Sequence, residues 1–437
     1  MDCSKTVTKS GTPIKLLLGG SPCTKWSIAQ KNGREVLPEG IGWELFENYR
    51  IAKEKFQPDI FLYENNKSAA QPIKDAIYSA LGGGKDSSVR LTHIDSALAS
   101  AQHRQRFYVT NFGDIEQPKD RGILFNDILE NGTDLTSNGK SFALTATYDG
   151  AIAQNTLERH QRSTVAEPVC MRYQRSEEAK RVRKQYEAGD VHHGFHELSE
   201  LHPRTDGKTN TLSTVLKDNP ICEPVFPLKS EKARCVTAGY ANKGAAHILE
   251  SYYSPNPSKQ KWDSVAESVE FDGDVPIKAV SRADGKVYPV YEVRDGQITI
   301  KGKQYSIKLQ DGYYIIRKLT PLECERLQTM PDGYTAAVSN SQRYKALGNG
   351  WTAEVIIHIL NHALKDVPRD KELVVLSMYD GIATGRYCLD KMGFTNVKYY
   401  AYEIDPYAQK IAMSNYPDIV QCGDAFRVRE DQWKIPI

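Results

Sequence analysis

Apolar and polar positions alternate in blocks that divide the chain into three. Residues 14–19, IKLLLG, are a short continuous apolar run ending at glycines, which predicts a buried strand. Residues 43–56, WELFENYRIAKEKF, have helical spacing, and 58–65, PDIFLYEN, read as a second strand with polar residues at its carboxyl end. Gln71 to Leu81 reads as a helix and Arg106 to Thr110 as a third strand. Strands alternating with helices predict a parallel α/β sheet. Ligands of such sheets sit at the carboxyl ends of the strands, where Cys23 and Glu64 fall.

The pattern changes near Thr136. Residues 136–312 are rich in Ser, Thr, Asn, Asp and Gly, with short β-like pieces and one charged helical stretch, SEEAKRVRKQYEAG. They read as an irregular module inserted into the α/β domain. Thr145-Ala146-x-Tyr148 with Leu157-Glu158 recurs as Thr237-Ala238-x-Tyr240 with Leu249-Glu250, and Lys208-x-x-x-Leu212-Ser213-Thr214 is a partial echo. Duplicated recognition elements and a chance match among Thr-rich loops explain this equally well.

Residues 317–330, RKLTPLECERLQTM, open with a Thr-Pro helix entry, and 351–365 form a helix after a Gly348-Asn349-Gly350 turn. The polar stretch 365–372 reads as a linker. LVVLSMYDG then runs from a buried strand into a glycine turn. A helix (Tyr387–Met392), the strand VKYYAYEID, the helix Pro406–Asn415 and DIVQCGDAF complete a βαβαβ unit, an arrangement that binds a nucleoside at its first glycine turn.

Composition changes this picture little. With 437 residues, 40% hydrophobic and 26% charged, the chain is long enough for two domains with a sizeable core. A net charge of +2 neither demands nor excludes nucleic acid. No apolar run is long enough to span a bilayer and the first residues lack a secretion signal, so a cytoplasmic protein without a membrane partner is expected. Eight scattered cysteines fit reduced thiols.

The candidate chemistry lies at the strand ends. The turn YDGIATG is weak alone, but a strand precedes it, a helix follows, and Glu403 ends the next strand, where a carboxylate can hold ribose hydroxyls. Asp424 ends the third strand, in position to meet an adenine amino group. Cys23 follows Gly-Gly-Ser-Pro and reads equally as a buried apolar side chain or as a nucleophile whose thiolate nearby main-chain amides or cations would favour. Glu64 reads either as a proton donor to a ring nitrogen or as a helix-start carboxylate. Arg104 and Arg106 alternate on one strand and so share a face, to grip carbonyl or phosphate oxygens or to form structural ion pairs. The run HHGFH, 192–196, lacks a nearby paired Cys or acidic ligand and reads as a solvated loop, so no metal is expected.

Together these residues resemble the DNA cytosine-5 methyltransferases. Pro22-Cys23-x-x-x-Ser27 is similar to the family's nucleophile loop, Glu64-Asn65 to its Glu-Asn-Val strand end, and Gln102-x-Arg104-x-Arg106 to its Gln-x-Arg-x-Arg strand. Arg317 to Gln328 matches the segment that supports the family's recognition domain, and Gly348-Asn349 the turn closing its cofactor pocket. Tyr379-Asp380-Gly381 to Gly385, Glu403 and Gly423-Asp424 resemble its cofactor site. Three positions depart from the family: Thr24 stands for Gln, Asn66 for Val, and Tyr379 for the Phe that stacks on adenine. The order also departs, since the cofactor segment comes last, and the chain looks circularly permuted.

The resemblance implies a Rossmann-like α/β methyltransferase sheet, circularly permuted, with an inserted, mostly β target-recognition domain. It places catalytic parts at 1–135 and 313–364, the recognition domain at 136–312, the linker at 365–372 and the cofactor-binding part at 373–437. It implies S-adenosyl-L-methionine as cofactor, bound by Pro22, Asn349, Tyr379, Asp380, Gly381, Ile382, Ala383, Thr384, Gly385, Glu403, Ile404, Asp424 and Ala425. It implies catalysis by Cys23, Glu64, Arg104 and Arg106 on a cytosine flipped from double-stranded DNA. A monomer is expected, nucleoid-associated in a bacterial or phage setting, with a cognate restriction endonuclease as an optional partner. Transfer RNA as substrate, and a non-catalytic DNA-binding relative, are the alternatives. The long module at 136–312 argues against the first, and retention of the nucleophile and cofactor residues against the second.

Overall fold

The computed structural model describes residues 12–22, 24–27, 33–136, 138–169, 171–175, 177–188, 199–203, 279–281 and 287–433. Cys23, the run 192–196 and the second and third copies of the repeat lie outside the described residues. The chain divides into two compact units. One comprises residues 1–128, 139–150 and 319–437, the other 129–138 and 151–318.

The first unit is built on a seven-stranded sheet. Its strands are β1 (Ile14–Gly19), β2 (Ile60–Asn66), β3 (Arg90–Asp95), β4 (Gln105–Thr110), β5 (Leu373–Met378), β6 (Val397–Tyr402) and β7 (Val420–Gly423). Their order in space is β7-β6-β5-β1-β2-β4-β3. The pairs β1–β2, β1–β5, β5–β6 and β6–β7 are parallel. The central strands β1 and β5 are apolar nearly throughout because both faces are covered, and every residue of β5 is buried.

The unit's helices are α1 (Gly40–Phe56), α2 (Gln71–Ala80), α3 (Pro321–Leu327), α4 (Asn340–Asn349), α5 (Ala353–Leu364), α6 (Thr384–Lys391) and α7 (Pro406–Asn415). Phe46, Tyr49 and Ala52 of α1 and Ile73 and Ile77 of α2 share a buried cluster with Leu17, Phe61, Phe107, Val374 and Leu376 of the sheet. On the other side α6 sits close to β1 and β6. A Cβ on Gly385 would stand 2.9 Å from Leu18 Cδ1 and 2.7 Å from the Tyr399 hydroxyl.

Four local expectations are corrected. The strand at 106–110 is antiparallel to β2, not parallel, and lies between β2 and β3. Only residues 96–104 connect β3 to β4, too few for a parallel crossover. Strand β3 was not read from the sequence, because its polar, half-exposed residues RLTHID give no apolar run. Gly348 and Asn349 do not form a turn, since α4 runs through Asn349 and Gly350 caps it. Lastly, α1 starts at Gly40, three residues before the expected position, because Glu35 reaches its first turn and accepts from Gly42 N at 3.0 Å.

In the second unit the described residues are more regular than the sequence suggested. The strands Lys303–Ser306, Gln297–Ile300, Val287–Arg294, Gly312–Lys318, Thr164–Pro168 and Thr133–Asp134 lie side by side in that order, and Ala279–Ser281 pairs with Val287–Arg294. All these pairings are antiparallel. Leu135, Ala166, Val293, Ile298, Ile300 and Tyr314 form its core. The Arg317–Glu167 ion pair, 2.7 Å and almost fully buried, ties two adjacent strands together. The charged stretch forms the helix Glu177–Glu187.

Candidate active site

The strand registers bring the candidate residues to one edge. Gly19 pairs with Tyr63 on one side and Met378 on the other, Met378 pairs with Tyr402, and Tyr402 with Gly423. The next residues along these five parallel strands are Gly20, Glu64, Tyr379, Glu403 and Asp424. Cys23 follows Gly19 by four residues in the sequence.

Glu64 is held on both oxygens. Arg106 Nε lies 2.9 Å from Oε1, and Trp351 Nε1 donates to Oε2 at 3.0 Å. Gly20 forms a third wall, where an added Cβ would meet the Glu64 carbonyl at 2.5 Å and Oε2 at 2.9 Å. Each oxygen of the carboxyl thus faces one donor and keeps a second lone-pair direction for a further partner.

Asn65 steadies the segment that leads to Cys23. Its buried amide donates to the Ser21 carbonyl at 2.9 Å and to the Tyr63 hydroxyl at 3.0 Å, and that hydroxyl lies 2.7 Å from Ser21 Oγ. Pro22 itself is exposed.

Arg104 and Arg106 do not share a strand face. The strand is interrupted at Arg104, which separates Gln102–His103 from β4. Arg104 is buried, and its guanidinium donates to the carbonyls of Leu144 (2.7 Å), Gly348 (3.1 Å) and Gly350 (2.8 Å). The physical reason is tight packing: a Cβ on Gly348 would overlap the Thr145 backbone, so the carbonyls gathered there need an internal donor.

At the glycine turn, three residues have left-handed backbones: Tyr379 (φ 59), Gly381 (φ 65) and Ala383 (φ 61). For Tyr and Ala this conformation is costly and persists only where surrounding contacts impose it. The Tyr379 hydroxyl donates to Leu45 O at 2.7 Å and accepts from Asn48 Nδ2 at 3.1 Å. Tyr334 donates to Ile382 O at 2.8 Å. Ile382, Ala383, Thr384 and Gly385 are buried. Glu403 closes the turn, with Oε2 accepting from Gly381 N at 2.8 Å and Oε1 from Ile404 N and Asp405 N at 2.8 and 2.7 Å. Ile404 is 69% exposed beside it. Asp424 is exposed and accepts from Phe426 N at 2.9 Å, Ala425 is buried, and Asn349 is exposed at the end of α4.

Asp380 accepts from the Tyr399 hydroxyl at 2.7 Å, whereas its buried Oδ2 has no hydrogen-bond partner. Burial, reinforced by the charge of Glu403, pushes its carboxyl up to about 6, against opposing hydrogen bonds from Tyr399, Ser377 and Ala383 N. Burial also pushes the Tyr379 phenol up to about 12.

Sequence reading missed Trp351, Tyr399 and Asn48, whose partners are 19 to 331 positions away, a separation that leaves no local signal. Among the described residues no group of three or more His, Cys, Asp or Glu is placed to hold a metal ion, and no helix is long and apolar enough to cross a membrane.

Five adjacent parallel strands whose aligned carboxyl ends carry a glycine turn, two acidic residues and an Arg-paired glutamate form the kind of edge at which open α/β sheets bind their ligands. Residues 2–365 match the family of C-5 cytosine-specific DNA methylases, and the chain belongs to that family. Its members take their methyl group from S-adenosyl-L-methionine. The chain is 24% identical over 392 residues to the orphan methyltransferase M.SPRI of Bacillus phage SPR, covering 83% of this chain and 85% of that protein. It is 22% identical over 352 residues to the type II methyltransferase M1.ScrFI of Lactococcus lactis subsp. cremoris, covering 72% and 83%. Among solved structures, the Entamoeba histolytica methyltransferase EhMeth aligns over 81% of this chain and 78% of that one, at 11% identity and a TM-score of 0.32.

Proposed function

We propose that this protein methylates carbon 5 of a cytosine in a specific duplex DNA sequence, through a covalent bond to Cys23. The supporting observation is the alignment of five parallel strand ends, which carries Glu64, the turn at 379–385, Glu403 and Asp424 to one edge beside the start of the 20–23 segment.

The residues fit the cofactor. Glu403 uses its carboxylate on three backbone amides and retains an acceptor site on Oε2 for a ribose hydroxyl. Tyr379 and Ile404 offer apolar surface for the adenine, and Asp424 an exposed acceptor for its amino group. When bound, S-adenosyl-L-methionine supplies a methyl group activated by a sulfonium.

The target cytosine leaves the base stack so that its ring faces are reachable. The Cys23 thiolate adds to carbon 6; Glu64, protonated in the complex, gives its proton to ring nitrogen 3 as negative charge develops there and takes it back when the thiolate leaves, while Arg106 faces the exocyclic oxygen. Carbon 5 becomes nucleophilic and accepts the methyl group. A base then removes the proton at carbon 5, the ring double bond re-forms, and the thiolate is expelled. Arg104 takes no part in these steps and braces the Gly348–Gly350 backbone.

The antiparallel unit containing most of 136–312 is read as the target-recognition domain, contacting bases from its loops and phosphates through Lys and Arg. The chain is also read as a circular permutation. Strand β5 enters beside β1, and Ile14 N donates to Glu372 O at 2.9 Å, so the end of the 365–372 linker adjoins the start of β1. Bisulfite sequencing of DNA from cells expressing the protein tests the activity and reveals the target. Protected cytosines in one sequence context are expected, and an unmodified genome contradicts the reading.

A further inference from the structure

Trp351 touches the candidate catalytic carboxyl, yet neither the expected chemistry nor the family resemblance gives it a role. It lies between Gly350, which caps α4, and Thr352, which precedes α5. Both neighbours are fixed by interior hydrogen bonds. Gly350 O accepts from Arg104 Nη2 at 2.8 Å and from Gln328 Nε2 at 3.3 Å. Thr352 Oγ1 donates to Gln328 Oε1 at 2.9 Å and accepts from Ser96 Oγ at 3.0 Å. Gln102 Nε2 completes the brace, donating to Gln328 Oε1 at 3.1 Å and to Leu327 O at 2.7 Å. The brace places an indole N–H 3.0 Å from Glu64 Oε2.

We propose that Trp351 is a positioning residue that sets the orientation of the Glu64 carboxyl for catalysis. The inference rests on the reading of Glu64 as the group that meets the cytosine ring. A guanidinium readily grips both oxygens of a carboxylate with its planar fork. In this site Arg106 Nε pairs with Oε1 while the indole occupies Oε2, and Gly20 leaves room for that oxygen. An indole N–H is a donor only, so it orients the oxygen without accepting a proton from it. Without the indole the carboxyl is free to rotate into a two-pronged contact with Arg106, turning its lone pairs from the base. The Gln102–Arg104 brace acts at one remove, by fixing the backbone on which Trp351 stands.

The test is a double-mutant cycle with Trp351→Phe and Glu64→Gln in the full chain. Methyl transfer is followed with labelled S-adenosyl-L-methionine on unmethylated genomic duplex DNA. Trp351→Phe keeps the ring and loses the N–H. It is expected to lower kcat about tenfold while KM for cofactor and DNA changes less than about twofold, the pattern of a lost transition-state contact. In the Glu64→Gln background Arg106 takes the one remaining acceptor oxygen and the amide nitrogen faces the indole, so the same change is expected to cost less than about twofold. Trp351→His, which keeps a ring N–H, is expected to retain more kcat than the Phe variant. An undiminished tenfold loss in the Glu64→Gln background overturns the proposal, as does a loss confined to KM or a Phe variant as fast as the parent. Full activity in Glu64→Gln alone would instead overturn the reading of Glu64 and remove the inference with it.

Discussion

Arg106 Nε and Glu64 Oε1 lie 2.9 Å apart, and their side chains are only 12% and 13% exposed. A pair this enclosed couples the two residues, since either one left alone is a poorly solvated charge. Glu64→Gln keeps the shape and one acceptor but loses the charge. It is expected to lower kcat by about 10² or more, within the range for a positioned acid–base group. It should also lower the melting temperature by a few degrees as Arg106 loses its counter-ion. Steady-state kinetics and a thermal melt of the same preparation check both effects, and a variant as active as the parent would remove Glu64 from the chemistry.

Arg104 should behave in the opposite way. Arg104→Met withdraws a donor from three carbonyls; Gly350 O keeps Gln328 Nε2, and each buried carbonyl left unsatisfied costs about 1–3 kcal/mol. A clear loss of stability is expected, with turnover per folded molecule reduced far less than in Glu64→Gln. Denaturant unfolding together with an active-fraction assay separates the two. A stable but inactive Arg104→Met protein would restore a direct catalytic role to this arginine.

Tyr379→Phe restores the ring usual in the family but removes the hydroxyl that joins the turn to α1 through Leu45 and Asn48. Losing about 1 kcal/mol of hydrogen bonding at a left-handed residue should weaken cofactor binding about fivefold and leave kcat at saturation unchanged. Calorimetric titration with the cofactor checks this. Unchanged affinity would show that the ring alone fixes the turn.

The Asp380 carboxyl gives a pH signature. It holds its proton up to about pH 6 in the folded protein, whereas the ordinary value is 3.8. Its contribution therefore favours folding in acid and is lost as the pH rises through about 6, where burial of the charge opposes the folded state. Asn at this position keeps an acceptor for Tyr399 and does not ionise. The melting temperature of Asp380→Asn relative to the parent should therefore rise between pH 4.5 and 7 in cofactor-free protein. A flat difference across that range would contradict the shift.

The elements legible in the sequence were those with strong local signals. Buried β1 and β5 announce themselves as apolar runs, and the strand-turn-helix at 373–391 by its glycines. The strand ends carrying Glu64 and Glu403 were placed correctly because polar residues close each apolar run. What escaped depends on tertiary contact. Arg104 and Arg106 are two residues apart and chemically alike, yet one braces carbonyls in the interior and the other faces a carboxylate, a difference set by packing around Gly348. Nothing in the sequence around Trp351 points to Glu64, 287 positions earlier.

In the proposed reaction a Cys23 thiolate opens the cytosine ring to methylation at the edge shared by Glu64 and the turn at 379–385. The most direct measurement compares the parent and Cys23→Ala for transfer of labelled methyl groups to unmethylated genomic duplex DNA. Stable incorporation at cytosine carbon 5 is expected from the parent and none above background from the variant, with both proteins folded and binding cofactor equally. Transfer by Cys23→Ala at a rate near the parent's would contradict it.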